Sequence, residues 1–190
     1  MSFVSYLFSV FINIQKFVFS SSEYEIFVLK SVNLITFRTY PDIVQYNSLE
    51  DIPSDFRRIL KLFPFINPLY FRIKSRQAFL LCLIEKNELV AYGYIQSWYA
   101  FNKKFGWLTK NGTMLGPYWT SEKMRGKGIY GRLLNHSIAI SKNLPLVIYT
   151  NPQNLSSKRG IEKTGFNFVG IYRIRILFRI LQWHKRINSN

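Results

Sequence analysis

The sequence predicts a mixed α/β (α+β) domain: one central sheet, mixed but mostly antiparallel, flanked by helices. Two observations predict it. From residue 77 onward the apolar patterns run strand, strand, strand, helix, strand, helix, strand, with short polar connections. The chain of 190 residues, 48% hydrophobic and 17% aromatic, is long enough to bury one sizeable core and short for two domains. That composition excludes a disordered chain, which would be poorer in Ile, Phe and Tyr.

Residues 1–19 are strongly apolar, with the polar Ser2, Ser5, Ser9, Asn13, Lys16 and Ser20 recurring at helical spacing on one stripe. The spacing predicts an apolar amino-terminal helix over 1–22, followed by the main domain over 23–190. Such a helix packs in a core or a dimer, lies in a membrane interface, or spans a bilayer. It lacks the basic start and small-residue cleavage site of a signal peptide. Glu25–Leu29 and Asn33–Thr39 read as extended segments. Asp51, Pro53 and Asp55 open an amphipathic helix that Pro64 and Pro68 break. Gln77–Ile84 and Leu89–Trp98 flank the polar Glu85–Glu88 turn, which predicts an antiparallel hairpin. Met114–Thr120 is the third strand, Gly128–Lys142 a helix and Leu144–Thr150 a strand. Asn154–Thr164 is a short helix closed by Gly165, and Phe166–Phe178 is extended.

Charge narrows the partners. Twenty-six Lys and Arg face ten acids, a formal +16. A chain of this kind attracts polyanions: a phosphate-rich cofactor, an anionic membrane surface or nucleic acid. Aromatic and basic residues alternate through Tyr172–Ile187, as a solvent-facing strand or as a polyanion or membrane surface. No nucleic-acid motif accompanies them. The lone cysteine, Cys82, sits in an apolar run, so no disulfide within the chain forms and the thiol reads as buried and inert. Nothing has metal-ligand spacing.

The chemistry centres on Arg125-Gly126-Lys127-Gly128-Ile129-Tyr130-Gly131. Gly126 and Gly128 permit a tight turn, and backbone N–H groups at a helix start point toward an anion. Alone, this is equally a solvated turn. A second element follows the next strand: Asn154–Ser157, then Glu162-Lys163-Thr164-Gly165-Phe166. Together, in this order and spacing, the two elements resemble the Arg-x-x-Gly-x-Gly/Ala loop and the Asn-x-x-Ser/Ala helix of the GNAT superfamily of acyl-CoA N-acyltransferases. The resemblance covers about residues 77–178.

The resemblance implies a GNAT-like fold and an acyl-CoA cosubstrate, acetyl-CoA foremost, with no metal. Backbone groups of Tyr118, Trp119 and Thr120 would hold the pantetheine arm. The loop from Arg125 through Gly126, Lys127, Gly128 and Ile129 to Tyr130 would hold the pyrophosphate. Asn154 and Ser157 would line the arm from the other side. Direct attack of an amine on the thioester follows. Two positions depart from the family pattern. Tyr130 stands where the loop ends in a small residue, and Ile161 stands where many members carry a tyrosine acid. Tyr149 and Tyr118 are the substitutes to examine. Glu85, Glu88, Glu122, His136 and His184 read as surface or structural groups. The acceptor expected is an amino sugar or lipid-linked sugar, with a protein amino group or small amine as alternative. A catalytically inactive, membrane-associated protein of the same fold is the reading from another class. The expected location is the cytoplasm, at the inner face of a membrane.

Overall fold

The computed structural model describes residues 19–31, 37–64, 66–177 and 181–187. The apolar stretch 1–18 lies outside the described residues. Eight strands form one sheet in the order β2-β3-β4-β5-β6-β1-β7-β8. They are β1 Phe19–Leu29, β2 Ile43–Tyr46, β3 Ala78–Glu85, β4 Glu88–Ser97, β5 Thr113–Thr120, β6 Leu146–Thr150, β7 Asn167–Leu177 and β8 Leu181–Ile187. Every adjacent pair is antiparallel except β5 and β6, which run parallel.

Helices cover both faces. On one face lie α4 Ile129–Ile140 and α5 Leu155–Lys163. Leu133, Leu134 and Ile138 of α4 and Ile161 of α5 bury against Phe27, Leu81 and Ile148 of the sheet. On the other face lie α1 Ser54–Ile59 and α2 Pro68–Lys74, whose Phe56, Leu69 and Ile73 pack on Leu80, Cys82 and Tyr94. Pro68 occupies the first turn of α2, where its missing N–H costs no bond, and Asn67 caps that helix by accepting from the Leu69 N–H at 3.0 Å. A short 3₁₀ turn and α3 Asn102–Phe105 bring Trp98, Phe101 and Phe105 onto Ile26, Met114 and Val147.

The strands and helices expected from residue 77 to 177 are present within a residue or two. Three features differ from the sequence reading. Phe19–Ser22 belong to strand β1 and not to a helix ending at 22; the register Phe19↔Leu177 to Tyr24↔Tyr172 ties them to β7. Phe37–Thr39 have no regular structure, and the rest of Asn33–Thr39 lies outside the described residues. The basic carboxyl end is a hairpin of β7 and β8, not one strand. The unforeseen part is the place of β1: it sits between β6 and β7, although both follow it by more than 100 residues.

Candidate active site

The parallel strands β5 and β6 pair only at Thr113↔Leu146 and Met114↔Val147, then separate. The cause lies in β5. Gly93 pairs with Tyr118 and Ile95 with Leu115, so Gly116 and Pro117 together oppose Tyr94. That extra residue is a bulge, which bends the strand. Gly116 has φ +96, a conformation that favours glycine, and Pro117 has no N–H to offer a neighbouring strand. The Gly116 carbonyl accepts from the buried Gln96 Nε2. Arg72 Nη1 of α2 donates to Gln96 Oε1 at 2.6 Å and so braces that side chain. From Leu115 onward the β6-facing edge of β5 carries no strand, and a wedge-shaped gap opens in the sheet.

Below the gap, the turn before α4 has two left-handed residues, Gly126 at φ +78 and Gly128 at φ +74. A Cβ at either position would meet nothing within 4 Å, so the backbone angle, not crowding, requires glycine. Gly128 is the N-cap of α4, and no side chain caps the helix. Its first N–H groups and the positive end of the helix dipole are therefore free to meet an anion. They border a cavity of about 490 Å³. Tyr118, Trp119 and Thr120 of β5 form one wall, and Asn154 and Ser157 of α5 the other; Arg125, Gly126, Gly128, Ile129 and Tyr130 close the end. Lys127 does not line it. Its Nζ lies 3.5 Å from Met124 Sδ on the exposed side of the turn. Arg125 faces Glu122 at 3.5 Å.

A second cavity of about 610 Å³ occupies the gap itself. Tyr118, Tyr130, Asn154 and Ser157 line both cavities, so the two adjoin along one path. It leads from the α4 amino terminus to Gly116 and Pro117 on one side and Ile148–Thr150 on the other. Ser21–Tyr24 of β1 form its outer wall, because β6 ends at Thr150 opposite Glu25 and leaves that edge of β1 open. Asn154 shapes α5 as well: its Oδ1 accepts the Ser157 N–H at 3.1 Å, which caps the helix.

The three tyrosines differ in what their hydroxyls do. Tyr118 is half-buried, and its hydroxyl donates to Ser137 Oγ at 2.8 Å; burial pushes its pKa up. Tyr149 packs edge-on against Tyr24 at 4.9 Å and near Phe105 at 5.3 Å, and burial raises its pKa too. Tyr130 crosses from α4 to α5. Its ring lies over Gly160, where a Cβ would come within 2.5 Å of Cε1, and it meets Tyr118 edge-on at 5.5 Å. Burial pushes its pKa up, while a hydrogen bond with Ser157 opposes that shift, so the hydroxyl stays protonated. Ile161, one turn beyond Ser157, lines the upper cavity as a purely apolar wall.

Other titratable candidates stand elsewhere. His136 Nδ1 accepts the Tyr40 N–H at 2.9 Å and pins that segment to α4; burial lowers its pKa against the pull of Asp42. His184 stacks on Trp107 at 4.2 Å. Glu85 and Glu88 are exposed at the β3–β4 turn, and Glu122 is exposed before the loop. Burial pushes the Cys82 thiol up to about 12, which makes it inert. No group of metal-binding side chains occurs among the described residues. Gln96, Arg72, the Tyr130–Gly160 contact and the β1 wall escape sequence reasoning. Gly160 was the one available signal, as a glycine inside a helical pattern.

This geometry can be set beside known proteins. Residues 45–166 match the model of the acetyltransferase (GNAT) family. The chain belongs to the GNAT family. Solved structures of the same fold include a GNAT-family protein from Novosphingobium aromaticivorans DSM 12444 (TM-score 0.57, 13% identity, covering 89% of this chain and 66% of that one). An acetyltransferase from Colwellia psychrerythraea gives a TM-score of 0.55 at 16% identity, covering 88% and 57%. A GCN5-related N-acetyltransferase from Sphaerobacter thermophilus gives 0.52 at 12%, covering 90% and 56%. At these identities the likeness concerns the fold. The chain spans 66% or less of the length of these three structures. Among curated proteins none matches the sequence.

Proposed function

We propose that the chain is an acyl-CoA-dependent N-acyltransferase that moves an acetyl group from acetyl-CoA to a primary amine. The observation that carries this reading is the pair of adjoining cavities that run from the uncapped amino terminus of α4 to the gap between β5 and β6. Pyrophosphate suits the free N–H groups after Gly128. The pantetheine arm, itself an amide chain, suits the unpaired edge at Tyr118–Thr120, and the thioester then lies in the gap. Membership of the family supports the same cosubstrate.

In the reaction the amine attacks the thioester carbonyl, the C–N bond forms, the C–S bond breaks and the amine gives a proton to water. Confinement of both reactants beside the bulge supplies the proximity. The departing thiolate needs a proton, and Ile161 has none to give. Tyr130 fills that role in our reading, and the proton that the amine gave to water returns to it. The residue lines both cavities, and its protonated hydroxyl hydrogen-bonds with Ser157. Side chains on a helix lean toward its amino terminus, so a hydroxyl-bearing side chain at position 161 would also aim toward Ser157. The two departures from the family pattern thus compensate each other. The acceptor proposed is an amino sugar, free or lipid-linked, presented at the cytoplasmic face of an anionic membrane. The +16 charge supports an acidic substrate or surface.

The test is calorimetric binding of CoA together with thiol release from acetyl-CoA over a panel of amines. Absence of CoA binding sinks the proposal. Binding without turnover on any amine favours a catalytically inactive protein. Tyr130→Phe should lower kcat about a hundredfold with CoA affinity nearly unchanged. Unaltered kcat would remove Tyr130 from the chemistry.

A further inference from the structure

The outer end of the sheet carries a separate hollow of about 360 Å³, lined by Arg173, Arg175, Trp183, Lys185, Arg186 and Ile187. Strand register builds it. Glu23, Arg173 and Lys185 form one row across β1, β7 and β8, and Ser21, Arg175 and Trp183 form the next. Residues in these rows are directly opposite or two apart along a strand, so they share a face. Arg186 borders the hollow from the edge strand, but its register partner is Tyr172, so its side chain turns to the other face, where Nη2 donates to the Val169 carbonyl at 3.1 Å. Against the three cations of this face, Arg173, Arg175 and Lys185, stands one acid, Glu23, which Arg173 Nε meets at 2.9 Å. Arg175 and Lys185 make no ion pair among the described residues. Trp183 is 41% exposed beside them, a ring face left open to solvent.

The position of the hollow gives it a role. Glu23 lines the thioester cavity, and its partner Arg173 lines the hollow, so one ion pair forms the wall between the two. From the β5–β6 gap to the β7–β8 hollow is three strand spacings, or about 14 Å. A concave site of this size suits a discrete anionic group with an adjoining apolar or ring portion better than a flat lipid surface. Arginine pairs are the usual holders of phosphate oxygens, and a tryptophan face accepts a neighbouring ring.

We propose that this hollow is the acceptor's anion subsite. It takes the phosphate of a phosphorylated amine whose amino group, about 14 Å away, reaches the thioester past Ser21–Glu23. This rests on the N-acyltransferase reading above and names the acceptor's class within it. The Glu23–Arg173 pair keeps the partition closed to solvent and the nearest arginine oriented, while Arg175 and Lys185 meet the phosphate.

The experiment has two arms. First, inorganic pyrophosphate is titrated by calorimetry into protein already saturated with CoA, so that the loop before α4 is filled. Second, acetyl transfer is measured to ω-aminoalkyl phosphates of increasing spacer length and to the matching aminoalkanols. The expected results are saturable pyrophosphate binding and a KM for the phosphates at least about tenfold below that of the alcohols, with a minimum at the spacer that bridges the two sites. In the double variant R175E/K185E both effects should vanish, with CoA affinity as the control for an intact fold. Failure of pyrophosphate to bind the CoA-saturated wild type overturns the subsite. Binding with equal KM for phosphates and alcohols overturns its role toward the acceptor. Binding with no turnover on any amine sinks the acceptor reading and leaves an anion site alone. If R175E/K185E releases the protein from phosphatidylglycerol vesicles yet keeps pyrophosphate binding, the surface serves a membrane, and the proposal fails.

Discussion

The loop before α4 and the β1–β7–β8 end of the sheet are both cationic, yet they would grip an anion in opposite ways. At the loop, Lys127 lies outward beside Met124, Arg125 stands at the cavity's end near Glu122, and the rest of that end is backbone at left-handed glycines and a bare helix start. At the sheet end the backbone is consumed by strand pairing, and side chains from adjacent strands make the hollow. The difference teaches that charge count is a poor guide to an anion site. A loop grip depends on main-chain angles and should be sensitive to shape. A side-chain grip depends on Coulomb attraction and should be sensitive to salt.

Substitutions can break or sharpen this contrast. The largest effect belongs to Gly128→Val. A β-branched residue at φ +74 is strained, and we expect CoA affinity to fall about a hundredfold, roughly 2.7 kcal/mol. The fold should lose only about 1–2 kcal/mol. Calorimetry beside urea denaturation separates the two, and equal losses would reduce the loop to a structural turn. Next is Gly160→Ala, which brings a Cβ within 2.5 Å of the Tyr130 ring. It should destabilise the protein by about 1–3 kcal/mol. In a Tyr130→Ala background the same change should stabilise it by about 0.5–1 kcal/mol through helix propensity. Destabilisation in both backgrounds would mean the ring is not what requires glycine. The smallest effect is that of Arg125→Ala with Lys127→Ala. We expect CoA to bind only about two- to fivefold more weakly, as for exposed charges, and the difference to fade at high salt. A loss as large as that from Gly128→Val would place the grip on side chains after all.

Legibility in the sequence followed the same division. The loop is seven contiguous residues, and Asn154–Ser157 caps a helix through a local bond, so both could be found by spacing. Strands β3 to β7 carried their own apolar patterns. The bulge at Gly116–Pro117 was not legible, because it exists only against Tyr94 of β4 and is satisfied by Gln96 from across the sheet. Tyr130 looked like a defect of the loop until its ring was seen over Gly160, thirty residues away. Tyr118 and Tyr149 looked equivalent as catalytic substitutes, and their hydroxyl environments proved different.

By itself, then, the sequence determined the element order from residue 77, the glycine-bearing helix start and the likeness to the GNAT family. All of these are written in residues near one another in the chain. Only the tertiary structure decided where β1 runs, how far β5 and β6 stay paired, and which side chains face the resulting channel. Those outcomes depend on bonds between segments separated by 150 residues and more. A local pattern can state that a strand forms, but the strand's neighbours are chosen by the burial and hydrogen bonding of the whole sheet. The Arg173–Glu23 pair joins the two ends of the chain at the wall of the site, and no spacing rule reads a contact of that kind.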